Sequence, residues 1–184
     1  DGKTKLVKGT DYTLSYSEDT KNVGEVTVTV TGKGNYSGKV QRKYHITKAP
    51  LTVTTEGATR AYNGQPLTAP GTVTGFVEGE NAELQVTGKQ TDVGSSKNTY
   101  NIVWTETTKA DNYQVSDTVG TLTVTAQSIK DSEKITVGTL SNVVYTGKKQ
   151  EQEPAVTTQD GKTKLVKGTD YTLSYSEDTK NVGE

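Results

Sequence analysis

Gly24-Glu25-Val26-Thr27-Val28-Thr29-Val30-Thr31-Gly32 reads as a strand closed by a glycine at each end. Apolar and hydroxyl side chains alternate with period two, which puts every Val on one face and every Thr on the other. Both residue types are β-branched and favour extended backbone. The same rhythm recurs outward from this stretch. Tyr12, Leu14 and Tyr16 alternate with Thr13 and Ser15. Tyr100, Ile102 and Trp104 share a face, and Leu51/Val53 and Leu122/Val124 repeat the pattern. One apolar and one polar face suits antiparallel sheets that are dry on one side and wet on the other. Asn63-Gly64, Gly32-Lys33-Gly34-Asn35 and Val182-Gly183 supply turn residues between the runs. No segment keeps a helical apolar period for ten residues, and Glu78–Leu84 is at most a single helical turn. The expected fold is all-β: tandem small antiparallel Ig-like β-sandwich domains, with a β-grasp-like variant as the alternative. Tyr12, Tyr16, Tyr44, Tyr100 and Trp104 fall on the apolar side and are expected to pack in cores.

A long repeat sets the organisation. Residues 160–184 repeat residues 1–25 without a difference, at a spacing of 159. Such identity points to a tandem array seen through a window. A weaker similarity lies inside the unit. Tyr62-Asn63-Gly64-Gln65 parallels Tyr145-Thr146-Gly147-Lys148, Asp92-Val93-Gly94 parallels Asn22-Val23-Gly24, and Asp111-Asn112-Tyr113 parallels Gly34-Asn35-Tyr36. Two related domains therefore alternate. Residues 1–48 form the later part of one, 49–127 are a complete second domain, and 128–184 form the early part of the next copy of the first. The joins, Lys48-Ala49-Pro50 and Ala126-Gln127-Ser128, are short and limit bending.

Composition removes much chemistry. The 184 residues carry a net charge of −1, no Cys and a single His. Phosphate neutralisation needs an excess of cations that is absent, so nucleic acid is not an expected partner. Thiolate metal sites, iron–sulfur clusters and cysteine nucleophiles need Cys. No run approaches 18 apolar residues, so membrane insertion is not expected. His45 lies on the polar side of Val40–Ile46 and reads as a solvated strand residue. Gly32–Gly38 has its third glycine one place too late for G-x-G-x-x-G, and no helix follows, so it reads as a turn. Asp and Glu sit in turn-like strings such as Ser17-Glu18-Asp19-Thr20. No catalytic, cofactor-binding or metal-ligating residues are assigned, no cofactor is expected, and the chain is read as a non-enzyme. Tyr36, Phe76 and Tyr113 remain as candidate ligand contacts, because aromatic faces in turns can stack on sugars.

Tyr62-Asn63-Gly64-Gln65-Pro66-Leu67, Gly75-Phe76-Val77-Glu78-Gly79, Asp92-Val93-Gly94, Asp111-Asn112-Tyr113 and Gly120-Thr121-Leu122-Thr123-Val124 occur in an order that resembles the MBG (YDG-type) repeat of large bacterial surface proteins. Asn63 stands where that family's name has Asp. The other domain resembles a bacterial Ig-like repeat of the same proteins, through Tyr145-Thr146-Gly147, Pro154, Asp160-Gly161, Lys167-Gly168-Thr169-Asp170-Tyr171 and Gly32-Lys33-Gly34-Asn35-Tyr36. The resemblance implies extracellular all-β repeats on a bacterial surface or cell wall, without catalytic residues. The expected role is a stalk or spacer in an adhesin or fibre. A module binding host glycan or protein, and an accessory domain of a secreted glycoside hydrolase, are the alternatives. Lys–Asn amide cross-links occur in such stalks, but no motif here identifies a pair.

The window also divides one domain. Residues 1–48 hold its later strands and 129–184 its earlier ones, so each fragment is expected to bare a Val-rich edge. The expected partners are neighbouring repeats or other copies, with 129–159 of one molecule docking on 1–48 of the next.

Overall fold

The structure is a computed structural model that describes residues 4–176 and 179–181. It is almost entirely β, as the alternation requires. β1 (Tyr12–Tyr16), β2 (Gly24–Gly32) and β3 (Lys39–Ile46) form an antiparallel sheet in the order β1-β2-β3. The registers Leu14↔Val30 and Val30↔Val40 put the even-numbered residues of all three strands on one face.

β4 (Ala49–Thr55), β5 (Ala58–Ala61), β6 (Gly71–Thr74), β7 (Ala82–Val86), β8 (Gly94–Lys97), β9 (Tyr100–Trp104), β10 (Tyr113–Val119) and β11 (Thr121–Thr125) follow. They pair as β10-β4-β6, β5-β11-β8 and β7-β9. One ladder departs from a purely antiparallel expectation: β10 runs parallel to β4, from Tyr113↔Ala49 to Val119↔Thr55. Parallel neighbours need a long crossover, and residues 56–112 provide one. β12 (Ile135–Val137) and β13 (Val156–Thr158) make a separate antiparallel pair. The chain divides into two compact units, Asp1–Arg60 with Gly64–Val124, and Ala61–Asn63 with Thr125–Glu184.

Two local readings are corrected. Glu78–Leu84 is not a helical turn: Glu78 and Gly79 form a reverse turn that leads into β7, where Ala82, Leu84 and Val86 point inward at strand spacing. The one short helical element among the described residues is a 3₁₀ turn at Ala110–Asn112. Tyr16 and Tyr44, expected in a core, are exposed. Among the described residues, no second layer covers the even-numbered face of β1–β3 at these positions.

The core of the first unit centres on β4 and β11. Leu51, Val53 and Leu122 are fully buried and Val124 nearly so. Leu67, Leu122 and Val124 pack together with Ala58 and Ala69 against them. Each large side chain removed from water here contributes about 2 kcal/mol. Thr55 continues the inward series of β4 but ends in a hydroxyl. That hydroxyl donates to the Asn98 carbonyl at 2.8 Å and accepts from the Gly120 amide at 3.0 Å. Asn98, itself fully buried, donates through Nδ2 to the carbonyls of Glu56 (2.9 Å) and Ala69 (3.0 Å). Its backbone amide donates to the Gly120 carbonyl at 2.9 Å. A buried polar knot thus ties the β4–β5 turn, the irregular segment before β6, the β8–β9 turn and the β10–β11 corner. Gly120 is required by close approach: a Cβ there would lie 2.3 Å from the Glu56 carbonyl carbon.

Candidate functional site

Three places carry the chemistry that aromatic and polar side chains offer here. The first is an aromatic group on the first unit. Phe76 follows β6, Trp104 ends β9 and Tyr113 opens β10. The Phe76 ring meets Trp104 edge-on at 6.2 Å and Tyr113 at 5.5 Å, and Trp104 stacks on Tyr113 at 5.7 Å. Tyr113 is 3% exposed. Its hydroxyl donates to Glu80 Oε2 at 2.7 Å and accepts from the Val77 amide at 3.1 Å. Burial, with Glu80 beside it, pushes the phenol up from its usual range. Edge-to-face contacts of this kind add about 1 kcal/mol each beyond area burial. Both polar capacities of the Tyr113 hydroxyl are used within the fold, so the group acts as a clasp on the Phe76–Glu80 loop. Tyr100, also on β9, donates to Asp117 Oδ2 at 2.7 Å, and burial first, then this bond, pushes its phenol up to about 12.

The second place is an open groove of about 620 Å³ on the β1–β3 sheet. Leu6, Tyr12, Leu14, Val30, Tyr36 and Val40 supply its apolar wall. Tyr36 is 46% exposed. It sits in the β2–β3 loop, which closes through the Gly32 amide on the Gly38 carbonyl at 2.9 Å. Of the three aromatic candidates, Phe76 and Tyr113 are thus brought together with Trp104, and Tyr36 lies apart in the groove.

The third place was not legible as a site in the sequence. Asn112, at the end of the 3₁₀ turn, accepts through Oδ1 from the Val23 amide at 2.9 Å and donates through Nδ2 to Asn22 Oδ1 at 2.9 Å. Asn22 donates in turn to Asp19 Oδ2 at 2.7 Å, and Asp19 Oδ1 accepts from the amides of Asn22 (2.9 Å) and Lys21 (3.0 Å). The β1–β2 loop is thereby bonded to the segment that opens β10. Asn22 and Asn112 each stand in a quoted motif, yet Asn in such a string reads as a turn residue.

The Asn22 amide and side chain, with the Lys21 amide, hold the Asp19 carboxyl at about 2, below its ordinary 3.8. A carboxyl titration followed by NMR is expected to find this midpoint in the wild-type chain. Asn22→Ala is expected to raise it only part of the way, because it removes the side-chain bond and leaves the backbone amides at position 22 and of Lys21 in place. A depressed folded-state value means the interaction stabilises above the unfolded pKa and is lost as pH falls from about 4 through about 2.

His45 lies on β3 opposite Glu25, with its Nε2 4.0 Å from Glu25 Oε2, and its side chain is 68% exposed. Lys43 pairs with the same carboxylate at 2.8 Å and holds it below the usual range. Among the described residues, no three His, Asp or Glu side chains are grouped to hold a metal ion. No helix of the described residues is long and apolar enough to cross a membrane.

Residues 51–123 match the family model of the MBG domain (YGX type). The MBG resemblance read from the motifs is borne out over this segment, with the YGX rather than the YDG type. MBG is a non-catalytic, repeat-type domain family, and the match is consistent with a repeat of a surface protein. No curated protein and no solved structure matches the chain. The backbone explains one motif. Gly64, in Tyr62-Asn63-Gly64, adopts φ +76° where β5 ends, and Gly147, in Tyr145-Thr146-Gly147, adopts φ +75°. The two parallel motifs make the same left-handed step, which glycine takes without the Cβ penalty.

Proposed function

We propose that this chain, whose residues 51–123 match the MBG domain family, is a non-catalytic extracellular repeat of a bacterial surface protein, serving as a stalk or spacer. The observation that carries the reading is the unbroken identity of residues 1–25 and 160–184 at a spacing of 159. A spacer gains length by adding copies, and identical joints let copies be added or lost without redesign. The joint between β3 and β4 supports this. Only Thr47 and Lys48 separate β3 from β4. Beside that short link, Asn112 holds both Val23 and Asn22. A tether plus a side-chain clamp restrains bending more than a tether alone.

Small-angle scattering on chains with one, two and three 159-residue repeats tests the proposal. Domains of this size span on the order of 35 Å, so the maximum dimension is expected to rise by about 70 Å per two-domain repeat. A dimension that levels off with added repeats would overturn the spacer role. Antibody labelling of intact cells tests the location. Binding of the isolated repeat on a glycan array would favour a recognition role instead.

A further inference from the structure

We infer that Asn63 is a self-modification site, at which the backbone amide of Gly64 displaces the side-chain amide and leaves an aspartyl or iso-aspartyl residue at position 63. The Gly64 nitrogen attacks the side-chain carbonyl carbon of Asn63 and gives up its proton. Ammonia leaves and a cyclic imide closes. Water then adds to one of the two imide carbonyls and breaks that carbon's bond to the nitrogen. Opening at the side-chain carbonyl gives the aspartyl form. Opening at the backbone carbonyl gives the iso-aspartyl form, whose main chain is longer by one carbon. The exchange of ammonia for water needs no oxidant, metal or second protein.

Sequence and turn geometry single out this position. Asn63 is the one Asn of the chain that Gly follows; the others precede Val, Tyr, Ala, Thr or Ile, whose side chains crowd the attacking nitrogen. The turn leaves the reaction room. Residues 62–66 are exposed and lie outside the strands, between the end of β5 and the bridge of Leu67 to Gln90. Gly64 takes φ +76°, and among the described residues no backbone hydrogen bond holds its amide. A free amide can lose its proton and swing to the side chain, whereas a bonded one must first break its contact. Across the same turn Arg60 donates through Nη2 to the Gln65 carbonyl. Its positive charge favours the deprotonated amide before the reaction and the carboxylate after it.

Two glycines of the same backbone shape are internal controls. Gly161 follows Asp160 in an exposed turn and takes φ +69°, but its amide donates to the Thr158 carbonyl at 2.8 Å. The Asp160 carboxylate is also occupied, accepting from the Thr158 hydroxyl at 2.6 Å and the Lys162 amide at 3.1 Å. These bonds keep the carboxyl below its ordinary range, ionised and a poor electrophile. Gly147 takes φ +75° after Thr146, which has no side-chain carbonyl to attack. Tyr62-Asn63-Gly64 and Tyr145-Thr146-Gly147 therefore share a backbone step and differ in chemistry. Reaction at Asn63 adds one negative charge to a chain whose net charge is −1. The inference does not depend on the spacer role or on where the protein resides.

Peptide mapping by mass spectrometry tests this on the full chain, incubated folded and in urea, with an unincubated digest as the baseline. Trypsin releases residues 61–89 as one peptide, and fragmentation separates Asn63 from Asn81 within it. In the folded chain this peptide is expected to gain about 1 Da at Asn63, the difference between water and ammonia. Part of the product is expected to accept a methyl group from a protein iso-aspartate methyltransferase. In mildly alkaline buffer the rate is expected to rise by about tenfold per pH unit, since the deprotonated amide is the nucleophile. Asn63→Gln, whose longer side chain closes a less favourable ring, is expected to abolish the gain. The iso-aspartyl form at Asp160 is expected in urea and not in the folded chain. An Asn63 that stays intact in the folded chain while it reacts in urea would overturn the inference, and so would equal rates at Asn63 and at another Asn. Isomerisation of Asp160 in the folded chain as fast as the change at Asn63 would overturn the part given to the free Gly64 amide.

Discussion

Asn98→Asp is expected to unfold the first unit's core at neutral pH. The Asn98 side chain is fully buried, and its Nδ2 faces two carbonyl oxygens, those of Glu56 and Ala69, at 2.9 and 3.0 Å. The substitution changes the volume very little. It replaces a double donor by an oxygen that can only accept when ionised, so a charge is buried against two like dipoles. An uncompensated buried charge costs about 3–5 kcal/mol, comparable to the whole stability of a small domain. The pH dependence identifies the cause. A carboxyl in that place has its folded-state pKa raised above the unfolded value. Its neutral form can donate to one carbonyl, so stability is regained as pH falls below about 4 and lost as pH rises through the raised value. Trp104 fluorescence during urea unfolding at several pH values measures this. Asn98→Ala is expected to cost less, about 1–3 kcal/mol, since it leaves unpaired carbonyls without adding a charge, and to show no such pH dependence. An Asn98→Asp chain as stable as wild type at neutral pH would contradict the knot.

Leu122→Ala is expected to cost about 3 kcal/mol, lowering the melting temperature by roughly 10–20 °C for a domain of this size. Leu122 is fully buried between Leu67 and Val124, and its strand β11 is the centre of β5-β11-β8. Paired strands on both sides keep the backbone from collapsing into the space left behind, which is the condition for a large cavity term. Val137→Ala, on an exposed position of β12, is the control and is expected to change stability by less than about 0.5 kcal/mol. Differential scanning calorimetry distinguishes the two. Similar effects from both would mean that the core does not centre on β11.

The aromatic and polar sites were unequally readable. Trp104 belonged to a clear alternating run, so its inward direction followed from sequence. Tyr113 followed Asn112 in what reads as a turn, and its burial depends on β10 lying beside β4, a pairing across more than sixty residues. Asn98 sits in Ser95-Ser96-Lys97-Asn98, a polar string that any local reading assigns to solvent. It is buried because the β4–β5 turn and the β10–β11 corner close over it, and both come from elsewhere in the chain.

The repeated segment shows where local information ends. From Val7 to Tyr12 the two copies fold alike. The amides of Val7 and Val166 donate to Asp11 Oδ2 and Asp170 Oδ2 at 2.8 and 2.7 Å, and Gly9 and Gly168 take φ +90° and +86°. The Gly9 and Gly168 amides donate to the carbonyls of Tyr12 and Tyr171 at 2.7 and 2.8 Å. All these contacts span at most four residues, so the sequence alone determines this turn, as it determines the all-β class through the Val/Thr alternation. The next five residues part company. Tyr12–Tyr16 is a strand because β2 pairs with it from Tyr12↔Gly32 to Tyr16↔Val28. Tyr171–Tyr175 is identical in sequence and forms only an isolated bridge at Tyr171. An alternating pattern states which face a strand will bury, but a strand's backbone bonds lie on another strand. The turn is therefore a property of the sequence, and the strand is a property of the tertiary structure that brings Val28–Gly32 alongside.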